Sequence, residues 1–190
     1  DGRRIGLIGH SEGGTIAPLV AQEGVTVAWI VMLAGPAVSG AALLTEQSRA
    51  TQAAMGIAPA AIDANVAIQA RIMSAVAQNA ASADATTAAV DPILAEAGLT
   101  EAQRQGQLGQ LRSAWSRWFI AHAPGPALAG LDVPLLARYG GKDVQVPADQ
   151  NAPALSRLKP DAEVVVLPNL NHLMQPATTG LPNEYEAIET

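Results

Sequence analysis

The sequence predicts an α/β protein, a mostly parallel sheet interrupted by a long helical insertion. Three observations lead there. Short apolar runs bounded by glycine or polar residues recur at 4–9, 27–34, 133–139 and 163–167. A helical segment separates the two members of each pair, giving two βαβ units. Between the pairs, strand-like runs vanish and Ala, Gln, Ile and Leu dominate, a composition that favours helix. The expected division is therefore a core formed by 1–40 and 124–190, with a helical cap or lid over 41–123.

Taken in order, Arg4-Ile5-Gly6-Leu7-Ile8-Gly9 reads as a strand covered on both faces. Gly13 to Ala21 supplies the helix after it, and Pro18, which lacks a backbone donor, is expected in or near its first turns. Residues 27–34 form the second strand, ended by Gly35-Pro36. In the insertion, Ile62, Val66, Ile72 or Met73, and Val76 recur at helical spacing behind Pro59, a good first-turn residue. Asp91-Pro92 and Gly98 are expected to bracket a short helix as cap, first turn and C′ residue, and Thr100 with Gln103 to form a capping box. The next segment carries Leu108, Leu111, Trp115, Trp118 and Phe119, an apolar stripe that needs a surface to cover. Beyond Pro124-Gly125-Pro126 come the strand 133–139, a helix over 149–158 and the strand 163–167.

Composition narrows the function. At 190 residues and 49% hydrophobic, the chain can bury one substantial core. A net charge of −6 without a Lys/Arg cluster argues against nucleic acid or an anionic bilayer as partner. The absence of cysteine excludes disulfides, thiolate metal sites and a Cys nucleophile, and leaves the compartment open. The longest apolar run, 25–34, is about half of the ~20 residues that cross a bilayer. The chain opens at Asp1-Gly2-Arg3-Arg4 and goes straight into a strand, so a preceding segment is expected in the parent gene. No metal cluster or nucleotide loop is visible, and no cofactor is implied.

The chemistry is concentrated in Gly9-His10-Ser11-Glu12-Gly13, which fits the G-x-S-x-G elbow between a strand and a helix. Such a turn holds the serine in a strained conformation, and Gly9 and Gly13 are expected to avoid clashes that a Cβ would create. The Glu12 backbone N–H, at the helix N-terminus, would face a developing oxyanion. A serine hydroxyl needs a neutral imidazole as base and a carboxylate to orient it. Of the three histidines, His10 lies inside the elbow and reads as a packing or hydrogen-bonding group, and His122 ends the Trp-bearing helix. His172 follows the last strand in the loop Pro168-Asn169-Leu170-Asn171, where a mobile base belongs. Asp143, after Gly140-Gly141-Lys142 at the end of the third strand, is the preferred acid; Asp149, its rival, reads as the N-cap of the following helix.

With the order Ser11, Asp143, His172 in place, the chain resembles the α/β-hydrolase fold superfamily. The wording Gly9-His10-Ser11-Glu12-Gly13-Gly14 with Ile16-Ala17-Pro18 is similar to bacterial serine esterases close to the serine aminopeptidase and dienelactone-hydrolase-like groups. That resemblance implies a partial fold, strands five to eight with a cap after the sixth, and an apparently C-terminal fragment. It implies Ser11 as nucleophile, Asp143 as acid, His172 as base and the Glu12 N–H as one oxyanion donor. The family's second donor comes from a loop after its third strand and has no counterpart here; the stretch 184–190 stops where the family continues into a last helix. The expected activity is hydrolysis of a small-molecule ester through an acyl-enzyme, with Trp115, Trp118, Phe119 and Met73 as candidate walls of an acyl pocket. The alternatives are an exopeptidase or amidase using Glu46, Asp63 or Glu96 to hold a substrate amine, and a remnant without turnover.

Overall fold

The computed structural model describes residues 4–185. Its elements are β1 (Gly6–His10), α1 (Glu12–Gln22), β2 (Trp29–Leu33), α2 (Gly40–Ala54), α3 (Pro59–Gln78), α4 (Ala83–Glu96), α5 (Glu101–Leu111), α6 (Ala114–Ala121), α7 (Gly125–Ala129), β3 (Leu135–Gly140), α8 (Ala148–Leu158) and β4 (Glu163–Leu167). The strands lie side by side in sequence order and all pair in parallel. Register runs Gly6↔Trp29 to His10↔Leu33, Ile30↔Leu135 to Leu33↔Arg138, and Leu136↔Glu163 to Gly140↔Leu167. Every carboxyl end therefore opens on the same side of the sheet, the side where parallel α/β sheets gather their functional loops.

Two apolar clusters hold the chain together. One lies between sheet and helices and includes Ile30, Met32, Leu128, Leu135, Ala137, Tyr139 and Leu155. The other lies among the inserted helices and includes Ile72, Met73, Val76, Val90, Leu94, Leu108 and Ile120. The spacing Ile62, Val66, Ile72, Met73, Val76 is the buried face of α3.

Four expectations need correction. Strand β1 is not covered on both faces: among the described residues it pairs only with β2, and Ile8 is 66% exposed. Pro18 sits well inside α1, beyond its first turn, because burying Gly14, Thr15, Ala17 and Pro18 against the sheet outweighs one missing helical hydrogen bond. Asp91-Pro92 does not start a helix. Ser82 caps α4, its side chain accepting from the Ala85 N–H, and Pro92 lies in the helix interior; Gly98 does stop the chain at positive φ (81°). The Trp-bearing stripe is split between α5 and α6, because Ser113 restarts the helix as an N-cap accepting from the Ser116 N–H. Leu108 is buried on α5, whereas Trp115 and Trp118 on α6 are exposed. The Thr100–Gln103 capping box is present. The segment 186–190 lies outside the described residues.

Candidate active site

Ser11 stands between β1 and α1 with φ 54° and ψ −120°, a conformation an L-residue holds only when its surroundings enforce it. The enforcement is local. The Ser11 N–H donates to the Leu33 carbonyl of the neighbouring strand at 2.9 Å, and the Ser11 carbonyl accepts from the Gly14 N–H at 2.8 Å. A Cβ on Gly9 would collide with the Gly13 carbonyl and stand 2.8 Å from the Gly14 nitrogen, so only glycine lets the chain reverse so tightly. Gly13 is different: a Cβ there would meet nothing within 4 Å, and it is Gly14 that needs to be bare, because Gly35 Cα would lie 2.6 Å away. Glu12 opens α1, so its N–H belongs to the first turn, whose amides have no intrahelical acceptor.

Asp143 follows β3 with its side chain fully buried. Its Oδ1 accepts from the Gln145 and Val146 N–H groups at 2.8 and 2.9 Å, and its Oδ2 lies 2.9 Å from His172 Nδ1. A carboxylate held by two amide donors can only accept, so His172 Nδ1 is the donor in this pair. His172 is itself buried at 5% exposure. Asp149 falls in the first turn of α8, where Pro147 is the capping position, and it is exposed. It is therefore neither the cap nor the partner of His172.

The loops bearing Asp143 and His172 are stitched together through the backbone. The Gly141 N–H donates to the Leu167 carbonyl (2.8 Å) and the Lys142 N–H to the Leu170 carbonyl (2.9 Å). Gly140 permits this approach, since a Cβ there would stand 2.6 Å from the Asn171 carbonyl oxygen. Asn171, fully buried, folds the His172 loop by accepting from the Leu173 and Gln175 N–H groups at 2.9 and 3.1 Å. His10 completes the tie: its Nε2 lies 2.7 Å from the His172 carbonyl oxygen, and the two rings are 4.8 Å apart. The residue before Ser11 thus touches the His172 loop directly. Among the described residues there is no hydrogen bond between the Ser11 hydroxyl and His172.

The sequence reading passed over Asn171 and the Gly140-Gly141 pair as positioning residues. An asparagine immediately before a loop histidine, and two glycines at a strand end, were the available signals. A model of the alpha/beta hydrolase family matches residues 1–179. The chain belongs to the alpha/beta hydrolase family. Solved structures with a similar fold include an esterase from Rhodococcus sp. ECU1013 (20% identity, 85% of this chain and 55% of that one, TM-score 0.40). Others are a Pyrococcus furiosus esterase (16%, 86% and 44%, TM-score 0.41) and an alpha/beta fold family hydrolase from Bacillus anthracis str. Sterne (19%, 85% and 58%, TM-score 0.45). This alpha/beta hydrolase chain thus spans roughly half the length of each. No curated protein matches the sequence.

The inserted helices of this family member form no common aromatic pocket. Met73 lines a cavity of about 600 Å³ between α2 and α3, with Ala41, Thr45, Ala77 and Gln150, whereas Trp115 and Phe119 stack on each other elsewhere, on α6. His122, at the end of α6, stacks on Trp118 and has a buried Nε2 without a partner; burial holds its pKa below the ordinary value. No described helix is long and apolar enough to cross a membrane. Among the described residues no group of three or more His, Asp or Glu side chains gathers as a metal site.

Proposed function

We propose that the chain is the catalytic part of a serine carboxylic-ester hydrolase, with Ser11 as nucleophile, His172 as base, Asp143 as the acid that orients it, and the Glu12 N–H as an oxyanion donor. The observation that carries this reading is the buried 2.9 Å Asp143–His172 pair at the same sheet end as a serine held at φ 54°. In the first step His172 Nε2 takes the Ser11 hydroxyl proton while Oγ attacks the ester carbonyl; the alcohol then leaves with that proton. A water molecule, deprotonated by the same nitrogen, cleaves the acyl-enzyme and releases the acid. Asp143 favours the charged imidazolium in both steps. Division of the chain into a core (1–40 and 124–190) and a helical cap (41–123) belongs to this proposal, with the substrate entering between them.

An amide or peptide substrate is the second reading, favoured by one feature. Asp63 and Glu96 are tied to Arg49 and Arg71 at 2.8 and 2.6 Å; Glu46 pairs more loosely with Arg49, at 3.7 Å, and lines a cavity of about 240 Å³ that also borders Asp143. A carboxylate there could hold a substrate amine.

Labelling with an alkyl fluorophosphonate, read by intact mass, tests the catalytic assignment. A single adduct is expected on the wild type, absent in Ser11→Ala and strongly slowed in His172→Ala. A folded wild-type sample that takes no adduct is a remnant without the proposed activity. An adduct that survives Ser11→Ala places the nucleophile elsewhere. Turnover of p-nitrophenyl esters against aminoacyl anilides then separates the two substrate readings.

A further inference from the structure

Helix α6 reaches the elbow through Trp115. The Trp115 indole N–H donates to Glu12 Oε1 at 2.7 Å, joining residues 103 positions apart. Glu12 is the residue next to Ser11 and the one whose amide faces the oxyanion in the proposed mechanism. Trp115 is 55% exposed, so burial does not fix its place; its ring rests on Phe119, with centroids 5.3 Å apart. Helix α6 is itself a short segment between two breaks, restarted by Ser113 and ended by His122 in an extended conformation. Packing holds this segment in place, with Ile120 buried in the helical cluster and the Gly40 N–H donating to the His122 carbonyl at 3.1 Å, so Trp115 reaches Glu12 from a fixed support.

We propose that the Trp115–Glu12 hydrogen bond is a latch through which helix α6 sets the reactivity of Ser11, with Trp115 acting as a positioning residue for the Glu12 amide. Two physical effects follow from the geometry. Anchoring the Glu12 side chain restrains the backbone of the residue that follows the strained Ser11, and so restrains the direction of its N–H. The indole also holds the carboxylate toward α6, as a charge-assisted hydrogen bond. A carboxylate released from that bond would be free to swing beside the nucleophile, where its charge opposes an oxyanion. The latch would therefore favour Ser11 chemistry while the Trp115–Glu12 bond is made and diminish it when that bond is lost.

This inference rests on Ser11 being the nucleophile, and the test separates the two. Fluorophosphonate labelling is followed over a concentration series, giving the maximal rate and the half-saturating concentration for wild type, Trp115→Phe, Glu12→Ala, Glu12→Gln and the double variant Trp115→Phe/Glu12→Ala. Phenylalanine keeps the stack on Phe119 and removes only the donor. The expected result is a maximal rate about three- to tenfold lower in Trp115→Phe, with the half-saturating concentration little changed. In the Glu12→Ala background the same substitution should cost less than about twofold, because coupled residues are not additive. Glu12→Gln, which keeps an acceptor, should label faster than Glu12→Ala, and thermal melts establish that each variant is folded. Equal effects of Trp115→Phe in both backgrounds, or none in either, overturn the latch while leaving Ser11 as nucleophile. A wild type that never labels at Ser11 overturns both.

Discussion

Glycine positions show how differently two members of one motif can act. Gly9 and Gly13 bracket Ser11 symmetrically in sequence, and the motif alone suggests the same steric duty for both. Space is unequal: a Cβ at 9 runs into the Gly13 carbonyl, whereas a Cβ at 13 points into the open. Gly9→Ala should therefore cost about 3 kcal/mol or more, since the obstacle is backbone that cannot rotate away. Gly13→Ala, inside a helix, should be neutral or stabilising by up to about 1 kcal/mol, with Ser11 labelling retained. Urea denaturation of the two variants decides this, and equal losses would show that the elbow needs both residues bare. The same scale explains what was legible. Ser11, Asp143 and His172 each follow a strand, so strand runs were enough to place them. The ties that hold them, His10 to the His172 carbonyl and Asn171 to the Leu173 and Gln175 amides, depend on loop geometry that no periodicity reveals.

At the scale of elements, the loop after β2 is held by two buried side chains far away in sequence. Tyr139 on β3 donates its hydroxyl to the Gly35 carbonyl at 2.9 Å, and Asn151 on α8 accepts from the Ala37 N–H at 2.9 Å while donating to the Pro147 carbonyl at 3.0 Å. Burial drives the Tyr139 pKa well above its ordinary value, so the hydroxyl stays a donor. Asn151 is fully buried, and the β2–α2 loop and the start of α8 would both lose a partner without it. Asn151→Ala should destabilise by about 1–3 kcal/mol for each group left unsatisfied. Gln150→Ala, which removes an exposed bond to the Ala42 carbonyl and a long one (3.3 Å) accepted from the Asn151 side chain, should cost under about 1 kcal/mol. Chemical denaturation of the pair tests the contrast, and a Gln150 loss as large as that of Asn151 would refute it. A buried Asn on an amphipathic helix is indistinguishable from a surface one in sequence, which is why α8 could be placed and its clasp could not. Helix boundaries in the insertion failed for a related reason. Ser82 and Ser113 are ordinary serines until their hydroxyls find the Ala85 and Ser116 amides, whereas the Thr100–Gln103 pair carries both halves of its signal in the sequence.

For the whole molecule, the decisive asymmetry lies between the two borders of the sheet. Strand β1 pairs with β2 on one side only among the described residues, and it exposes Ile8 (66%) beside Ile5 (54%). Strand β4 borders the other side with Glu163 exposed on it and Val166 at 45%. An edge of unpaired amides and carbonyls flanked by isoleucine is a template for a further strand, whereas a charge on the edge blunts it. Overall charge works against association, at −6, but is screened over about 8–10 Å at ordinary ionic strength, too short a range to protect an edge that two molecules can already approach. The chain should therefore self-associate through β1 as its concentration rises. Ile8→Lys should suppress this, and Val166→Lys should do so far less. Sedimentation velocity over a concentration series is the measurement, with intact-mass labelling of Ser11 run on the same samples. A wild type that stays monomeric throughout, or one whose association ignores Ile8→Lys but yields to Val166→Lys, would mean that the β1 edge is not the adhesive one. Because Ile8 lies on β1, three residues before Ser11, and the register of β1 with β2 fixes the elbow that follows, association there should also slow Ser11 labelling, and Ile8→Lys should restore it at high concentration.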